Sequence, residues 1–131
     1  MRAMRKKKVL ILGGTGMLGH VLFRELSRGP DYDVYATVRN SAEARRFFPP
    51  ELAARIRVDS VDADNFDTVI RALASIQPHI VINCIGLIKQ LPLSSDPLAS
   101  ITANAQLPHR ISLICRTAGA RLVHVSTDCV F

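Results

Sequence analysis

Neither cysteine nor histidine is arranged in this chain as a covalent framework or a ligand set. Cys84, Cys115 and Cys129 are odd in number, far apart and without a Cys-x-x-Cys pair, which argues against a disulfide scaffold and for a reducing, cytoplasmic compartment. His20, His79, His109 and His124 fall at no metal-ligand spacing, so no metal is expected. No apolar run approaches the length that crosses a membrane, and none is expected as a partner. Val9–Leu12, four apolar residues running into glycines, is too short for the apolar core of a secretory signal, about 7–15 residues. Acid is missing from the first eight residues. They hold five of the 17 basic side chains (Arg2, Arg5, Lys6, Lys7, Lys8) and none of the 11 acidic ones, so residues 9–131 carry 12 against 11, a net of +1. The formal charge of +6 therefore belongs to a tail and not to a basic face. Two readings of residues 1–7 stand, a solvated extension or a contact to a polyanion. The remainder is nearly neutral, so nucleic acid is not the expected partner.

What is present is a globular composition, 48% hydrophobic and 21% charged. At 131 residues the chain is one domain, spanning 8–131, with enough length for one core. The densest information lies in Lys8–Gly19, KVLILGGTGMLG, where a short apolar strand runs into three glycines spaced three apart, Gly13, Gly16 and Gly19. A helical pattern follows at once. In that context a glycine trio reads as a dinucleotide fingerprint. The first glycine allows a tight turn, the second lets backbone approach a pyrophosphate, and the third lets helix and strand pack closely. The first-turn N–H groups of the helix lack intrahelical partners and, with the dipole, form an anion site. The alternative is a glycine-rich turn that serves packing alone.

Strands and helices alternate along the rest of the chain. The pattern predicts strands at about Lys8–Leu12, Asp33–Val38, Arg55–Val58 (with an extension toward Val61), His79–Asn83 and Arg121–Ser126. Between them it predicts helices at Met17–Arg28, closed by Gly29–Pro30, at Ser41–Phe48, capped by Asn40 with Glu43 three positions on, at Asp64–Ile76, and at Leu98–Ala118, closed by Gly119. Val69, Ile70, Leu73 and Ile76 form the stripe of the third helix, with Asp64 as its cap and Asp67 in its first turn. The expected fold class is α/β, a Rossmann-type doubly wound parallel sheet of about five strands in the order 3-2-1-4-5, truncated after strand five. The runs VLIL, IVI and LVHV suit strands covered on both faces. The crevice is expected at the carboxyl ends of the strands, where strands one and four diverge.

Several residues at those strand ends carry chemistry. After the second strand an acid would pair the ribose hydroxyls of NAD, and a base would accommodate the extra phosphate of NADP. Thr37–Asn40 holds no carboxylate, and Arg39 presents a planar fork suited to phosphate or else faces solvent. Asp62 is an acceptor for an adenine amino group, a turn residue or a helix cap. Asn83, Cys84, Ile85 and Gly86 end the fourth strand either as a smooth wall beside a cofactor or as turn formers. Ser126 and Thr127 leave the fifth strand toward the same crevice, where a hydroxyl can polarise a carbonyl, or form a turn.

GGTGMLG, VRN after the second strand, VINCIG after the fourth, the helix containing Asn104 and the closing HVSTDCVF together resemble the extended short-chain dehydrogenase/reductase superfamily. Within it, residues 8–131 most resemble the dTDP-4-dehydrorhamnose reductase branch, whose members act on nucleotide-linked sugars. The resemblance implies NADP as cofactor, with NAD as the alternative, and a nucleotide-sugar substrate; it leaves oligomeric state open. It places Gly13, Thr15, Gly16, Met17, Leu18 and Gly19 on the pyrophosphate loop, Arg39 on the 2′-phosphate, and Asp62 and Ala63 on adenine. Cys84, Ile85 and Gly86 form the adenosine-side wall, Asn104 supports the active site, Ser126 lies on the cofactor, and Thr127 is the catalytic hydroxyl on the substrate carbonyl. One departure stands out. The superfamily's Tyr-x-x-x-Lys pair is missing, since Tyr32 and Tyr35 are followed four residues later by Ala36 and Arg39. The expectation is the amino-terminal, cofactor-binding portion of a reductase, with a non-catalytic dinucleotide-binding sensor or scaffold as the alternative.

Overall fold

The computed structural model describes residues 4–58, 61–86 and 95–126. The elements are β1 (Lys7–Leu12), α1 (Met17–Arg28), β2 (Tyr32–Thr37), α2 (Ser41–Phe47), α3 (Pro50–Ala53), β3 (Ile56–Val58), α4 (Phe66–Ile76) and β4 (Ile80–Asn83). There follow α5 (Pro97–Ser100), a π-helical turn at Ile101–Gln106, α6 (Leu107–Ala118) and β5 (Arg121–His124). The five strands form one sheet in the order β3-β2-β1-β4-β5, and every pairing is parallel. This is the topology expected from the alternation. Parallel neighbours need helical crossovers, which here cover the sheet in two layers.

Side-chain alternation along β1 sorts the core. Leu10 and Leu12 pack with Val69, Leu73 and Ile76 of α4 and with Leu107, Ile111 and Cys115 of α6. Val9 and Ile11 face the other way, onto Phe23 of α1, Val34 and Ala36 of β2, and Ala44 and Phe48. β1 is thus buried on both faces, which is why its sequence is a continuous apolar run. β5 departs from that expectation. Leu122 is half-buried, but Val123 is 43% exposed and His124 is exposed, because α6 packs against only one face of this strand.

The remaining departures have local causes. Asn40 caps α2 as expected, its Oδ1 accepting the Ala42 N–H at 3.0 Å, while the Glu43 side chain lies outside the described residues. Pro49 and Pro50 end α2 and also start α3, with Pro50 in the first turn, where no N–H is needed. β3 stops at Val58. Helix α4 begins at Phe66, not at Asp64, because the Asp64 N–H is taken by Asp62 Oδ1 at 3.0 Å in a turn ahead of the helix. Its buried stripe is Val69, Ala72, Leu73 and Ile76, with Ile70 37% exposed, as a 3, 4, 7 spacing requires. The long fourth helix is interrupted at Ile101–Gln106, where the Leu107 N–H reaches back five residues to the Thr102 carbonyl. Pro108 explains this. It has no N–H for the Asn104 carbonyl, and its ring would clash there in α geometry, so the turn widens.

Candidate functional site

The turn after β1 is built around one peptide group. Gly13 adopts φ +85°, open to glycine and strained for other residues. Its carbonyl accepts the Gly16 N–H at 3.2 Å, and a Cβ on Gly19 would fall 2.0 Å from that same oxygen. Only glycine at 19 lets α1 come down onto the turn. Gly16 differs from both. A Cβ there would meet only the Gly13 oxygen, at 3.5 Å, so its surroundings are open, and Gly16 borders the cleft. Gly16 is the N-cap of α1 and has no side chain to cap it. The first-turn N–H groups of Met17, Leu18 and Gly19 therefore have no cap from that residue. The Met17 and Leu18 side chains point away, 86% and 42% exposed, so these two residues offer backbone alone.

The cleft above this turn has a volume of about 200 Å³. Its walls are Gly13, Thr15 and Gly16 from the turn, Thr37–Arg39 from the end of β2, Val61–Asp64 beyond β3, and Cys84–Gly86 beyond β4. Ala99 and Ala103 close it from α5 and the π turn. It lies at the carboxyl ends of β1, β2 and β4, where an open parallel sheet offers a crevice. Arg39, Asp62 and Asp64 are the charged residues of the lining. Asp62 is also a turn residue, with Oδ1 holding the Asp64 N–H and its own N–H donated to Thr68 Oγ1 at 2.9 Å. Of the three readings of Asp62 the structure contains the turn, and the residue borders the cleft, whereas the N-cap of α4 is Asn65. Burial pushes the Cys84 thiol above its ordinary range, which favours the neutral thiol on this wall.

The fourth strand ends in an ordered turn. Asn83 is fully buried; its Oδ1 accepts the Ile85 N–H at 3.1 Å, its amide nitrogen meets His124 Nδ1 at 3.2 Å, and its carbonyl accepts the Val125 N–H. That turn places Cys84, Ile85 and Gly86 on the cleft. Asn104 comes to its rim from the π turn, with Oδ1 3.2 Å from where a Cβ on Gly86 would stand. Ser126 is exposed beyond β5 and is not part of the cleft wall, and Thr127 lies outside the described residues. Sequence reasoning did not assign Thr37, Val38, Val61, Asp64, Ala99 or Ala103 to the cleft. Among these Thr37 carried a signal, a polar residue inside an otherwise apolar strand end. The two tyrosines belong to β2, and the Tyr35 hydroxyl is donated to Asp33 Oδ2 at 2.8 Å.

The family described as RmlD substrate binding domain matches residues 7–131. The chain belongs to that family. A dTDP-4-dehydrorhamnose reductase from Streptomyces griseus is 30% identical over 122 residues, covering 93% of this chain and 34% of that protein. Methionine adenosyltransferase 2 subunit beta from Mus musculus is 24% identical over 125 residues, covering 95% of this chain and 34% of its own length. Among solved structures, dTDP-4-dehydrorhamnose reductase from Bacillus anthracis in complex with NADP matches with a TM-score of 0.71 and 28% identity. The match covers 99% of this chain and 39% of that one. The chain thus spans about a third of the length of the curated relatives it matches. Its family and its α/β sheet are those that the glycine turn and the closing motifs resemble.

Proposed function

We propose that the cleft binds NADP(H) and that the chain is the cofactor-binding portion, residues 8–131, of a reductase acting on a nucleotide-linked 4-keto sugar. The observation that carries this reading is the contrast among the glycines. Gly13 and Gly19 are closed against backbone, whereas Gly16 is open and borders the cleft, which leaves room for a pyrophosphate over the N-terminus of a 12-residue helix. Thr15 stands beside it, Arg39 suits a 2′-phosphate, and Asp62 and Ala63 suit the adenine edge. The bound dinucleotide supplies hydride chemistry; the chain's own residues bind it, orient it and line its adenosine side with Cys84, Ile85 and Gly86. Thr127 and Ser126 are proposed to act toward the substrate carbonyl and the cofactor, with Asn104 in support. The NADP-bound relative from Bacillus anthracis supports the same cofactor here. The sequence has no Tyr-x-x-x-Lys pair, and Tyr35 is engaged on Asp33, so no side chain here supplies an acidified phenol to protonate the reduced oxygen. We therefore expect NADPH binding without turnover by the 131 residues alone. General acid–base assistance contributes about 10²–10⁴-fold to such a step.

Calorimetric titration with NADPH and NADH tests the cofactor, and NADPH oxidation with dTDP-4-dehydro sugars tests the chemistry. Failure to bind either dinucleotide removes the reading; turnover by the 131 residues requires a different proton donor. The similarity to a subunit named for an adenosyltransferase favours a second reading, a dinucleotide-binding module that acts in service of another protein. NADPH binding with no activity even in a chain of the relatives' length supports that alternative.

A further inference from the structure

The glycine turn is held from outside by one residue. Thr37, the last residue of β2, borders the cleft yet is only 1% exposed. Its Oγ1 accepts the Gly13 N–H at 3.4 Å, and its carbonyl accepts the Gly14 N–H at 2.8 Å. Gly14, which the fingerprint spacing passes over, is pressed so closely onto β2 that a Cβ would stand 2.8 Å from Ala36 Cβ. The β2–β3 register shifts at this point, with Ala36 opposite Ile56 and Thr37 opposite Val58. Such an irregularity re-aims a side chain and recurs beside functional sites. Thr37 and Asn83 are the two buried polar residues among the described ones, and Asn83 has its partners in the β4 turn. A valine would fill the space of Thr37 without burying a hydroxyl, so the hydroxyl needs a use.

Gly13 is that use. Its N–H points to Thr37, and its carbonyl receives the Gly16 N–H and lies under Gly19. The hydroxyl of Thr37 thus holds the peptide that enters Gly13, while its carbonyl holds the next one, Gly13–Gly14, whose oxygen receives the Gly16 N–H. We propose that Thr37 is a positioning residue of the dinucleotide site, its hydroxyl fixing the peptide that enters Gly13 so that the turn holds the first-turn N–H groups of α1 toward the pyrophosphate. The inference rests on the dinucleotide reading of the cleft and adds to it a residue that acts without touching the ligand.

The test compares Thr37→Val, which keeps the volume and loses the oxygen, with Thr37→Ser, which keeps the oxygen. NADPH affinity is measured by calorimetry well below every melting transition. Ile76→Val, remote at the end of α4, serves as a control for lost stability. Thr37→Val should weaken NADPH about five-fold or more, while Thr37→Ser stays within about two-fold, since a buried N–H is left without its acceptor only in the first. The Gly13 amide resonance should move in Thr37→Val and hold in Thr37→Ser. Should the valine variant not fold, Thr37→Cys, a far weaker acceptor of similar size, replaces it with the same expected loss. Wild-type affinity in the valine or cysteine variant overturns the proposal, as does an equal loss in Ile76→Val. A folded wild-type chain that binds no dinucleotide removes the cofactor reading itself, which separates the two failures.

Discussion

On the β3–β2–β1 side of the sheet, Val9, Ile11, Val34 and Ala36 are at most 2% exposed beneath α1 and α2. Across β4 and β5 the same face carries half-buried Ile80 and Ile82 and leaves Val123 and Val125 43% and 40% exposed. The pairing register runs straight from β1 across β4 to β5, Ile11 to Ile82 to Val123, so the difference between β1 and β5 is one of cover. The glycine turn grows out of the covered half, where packing on both faces holds its peptides in place. The segment bearing Ser126 extends from the open half. The proposed anion site and the proposed catalytic hydroxyl therefore belong to different halves of the sheet.

The strongest blow to the covered half is Gly19→Ala. Its Cβ would lie 2.0 Å from the Gly13 oxygen and 2.9 Å from its carbon, so α1 has to leave the turn. We expect a loss on the order of 3 kcal/mol in urea unfolding, the upper range for overpacking, together with loss of NADPH binding. An unchanged midpoint would mean that helix and turn are not in contact. Gly16→Val separates the two properties. With only the Gly13 oxygen nearby, at 3.5 Å, its side chain fits the fold but fills the space above the turn. Melting should change little, while affinity falls roughly 100-fold, the equivalent of losing one or two charge-assisted hydrogen bonds. Wild-type affinity in this variant would make the turn a packing device only.

Arg39→Ala acts at the cleft wall and leaves the sheet alone. The preference for NADPH over NADH should fall about tenfold or more, the weight of a charge-assisted contact. Equal affinity of the wild type for both dinucleotides would refute the assignment before any variant is made.

The covered half was also the legible half. Glycine spacing after an apolar strand specifies a turn whose alternatives are few, and β1 needed only its continuous apolar run to be read as a strand buried on both faces. Strand order followed from alternation and right-handed crossover. Legibility failed where a residue's role depends on a partner that its own type does not name. Asp64 has the composition of a cap, but the Asp62 carboxylate takes its N–H. The helical pattern runs unbroken through Pro108 from Leu98 to Ala118, whereas the chain widens into a π turn ahead of it. LVHV reads like VLIL, although only one face of it is covered. Thr37 stands out only as a polar residue at an apolar strand end, and its partner Gly13 is 24 residues earlier.

A smaller effect lies at the amino end of β2. Burial raises the pKa of Asp33, but hydrogen bonds from Tyr35 and Arg55, with the charges of Arg55 and Lys8, outweigh it and hold the carboxyl below its ordinary value. A depressed folded value means that the stabilisation is fully present above about pH 4 and is lost as pH falls through the folded value. Asp33→Asn should therefore flatten the acid limb of the unfolding curve. At neutral pH it should cost less than about 1 kcal/mol, because the Arg55–Asp33 pair is partly exposed at both partners. An acid limb identical to the wild type would assign it to other carboxylates.

A pair of substitutions tests the comparison itself, and its second member has the smallest expected effect. Val34→Thr and Val123→Thr are the same chemical change on the same face, one strand in the covered half and one in the open half. At Val34, 1% exposed, the hydroxyl enters an apolar cluster with Ile11 and Phe23 and should cost about 1–3 kcal/mol in urea unfolding. At Val123, 43% exposed, water solvates the hydroxyl and threonine keeps the β-branched shape a strand favours, so the change should stay within about 0.5 kcal/mol. Equal costs at the two positions would mean that the outer face of β5 is covered in solution. The contrast in cover would then vanish, and the segment carrying Ser126 would be as firmly placed as the glycine turn.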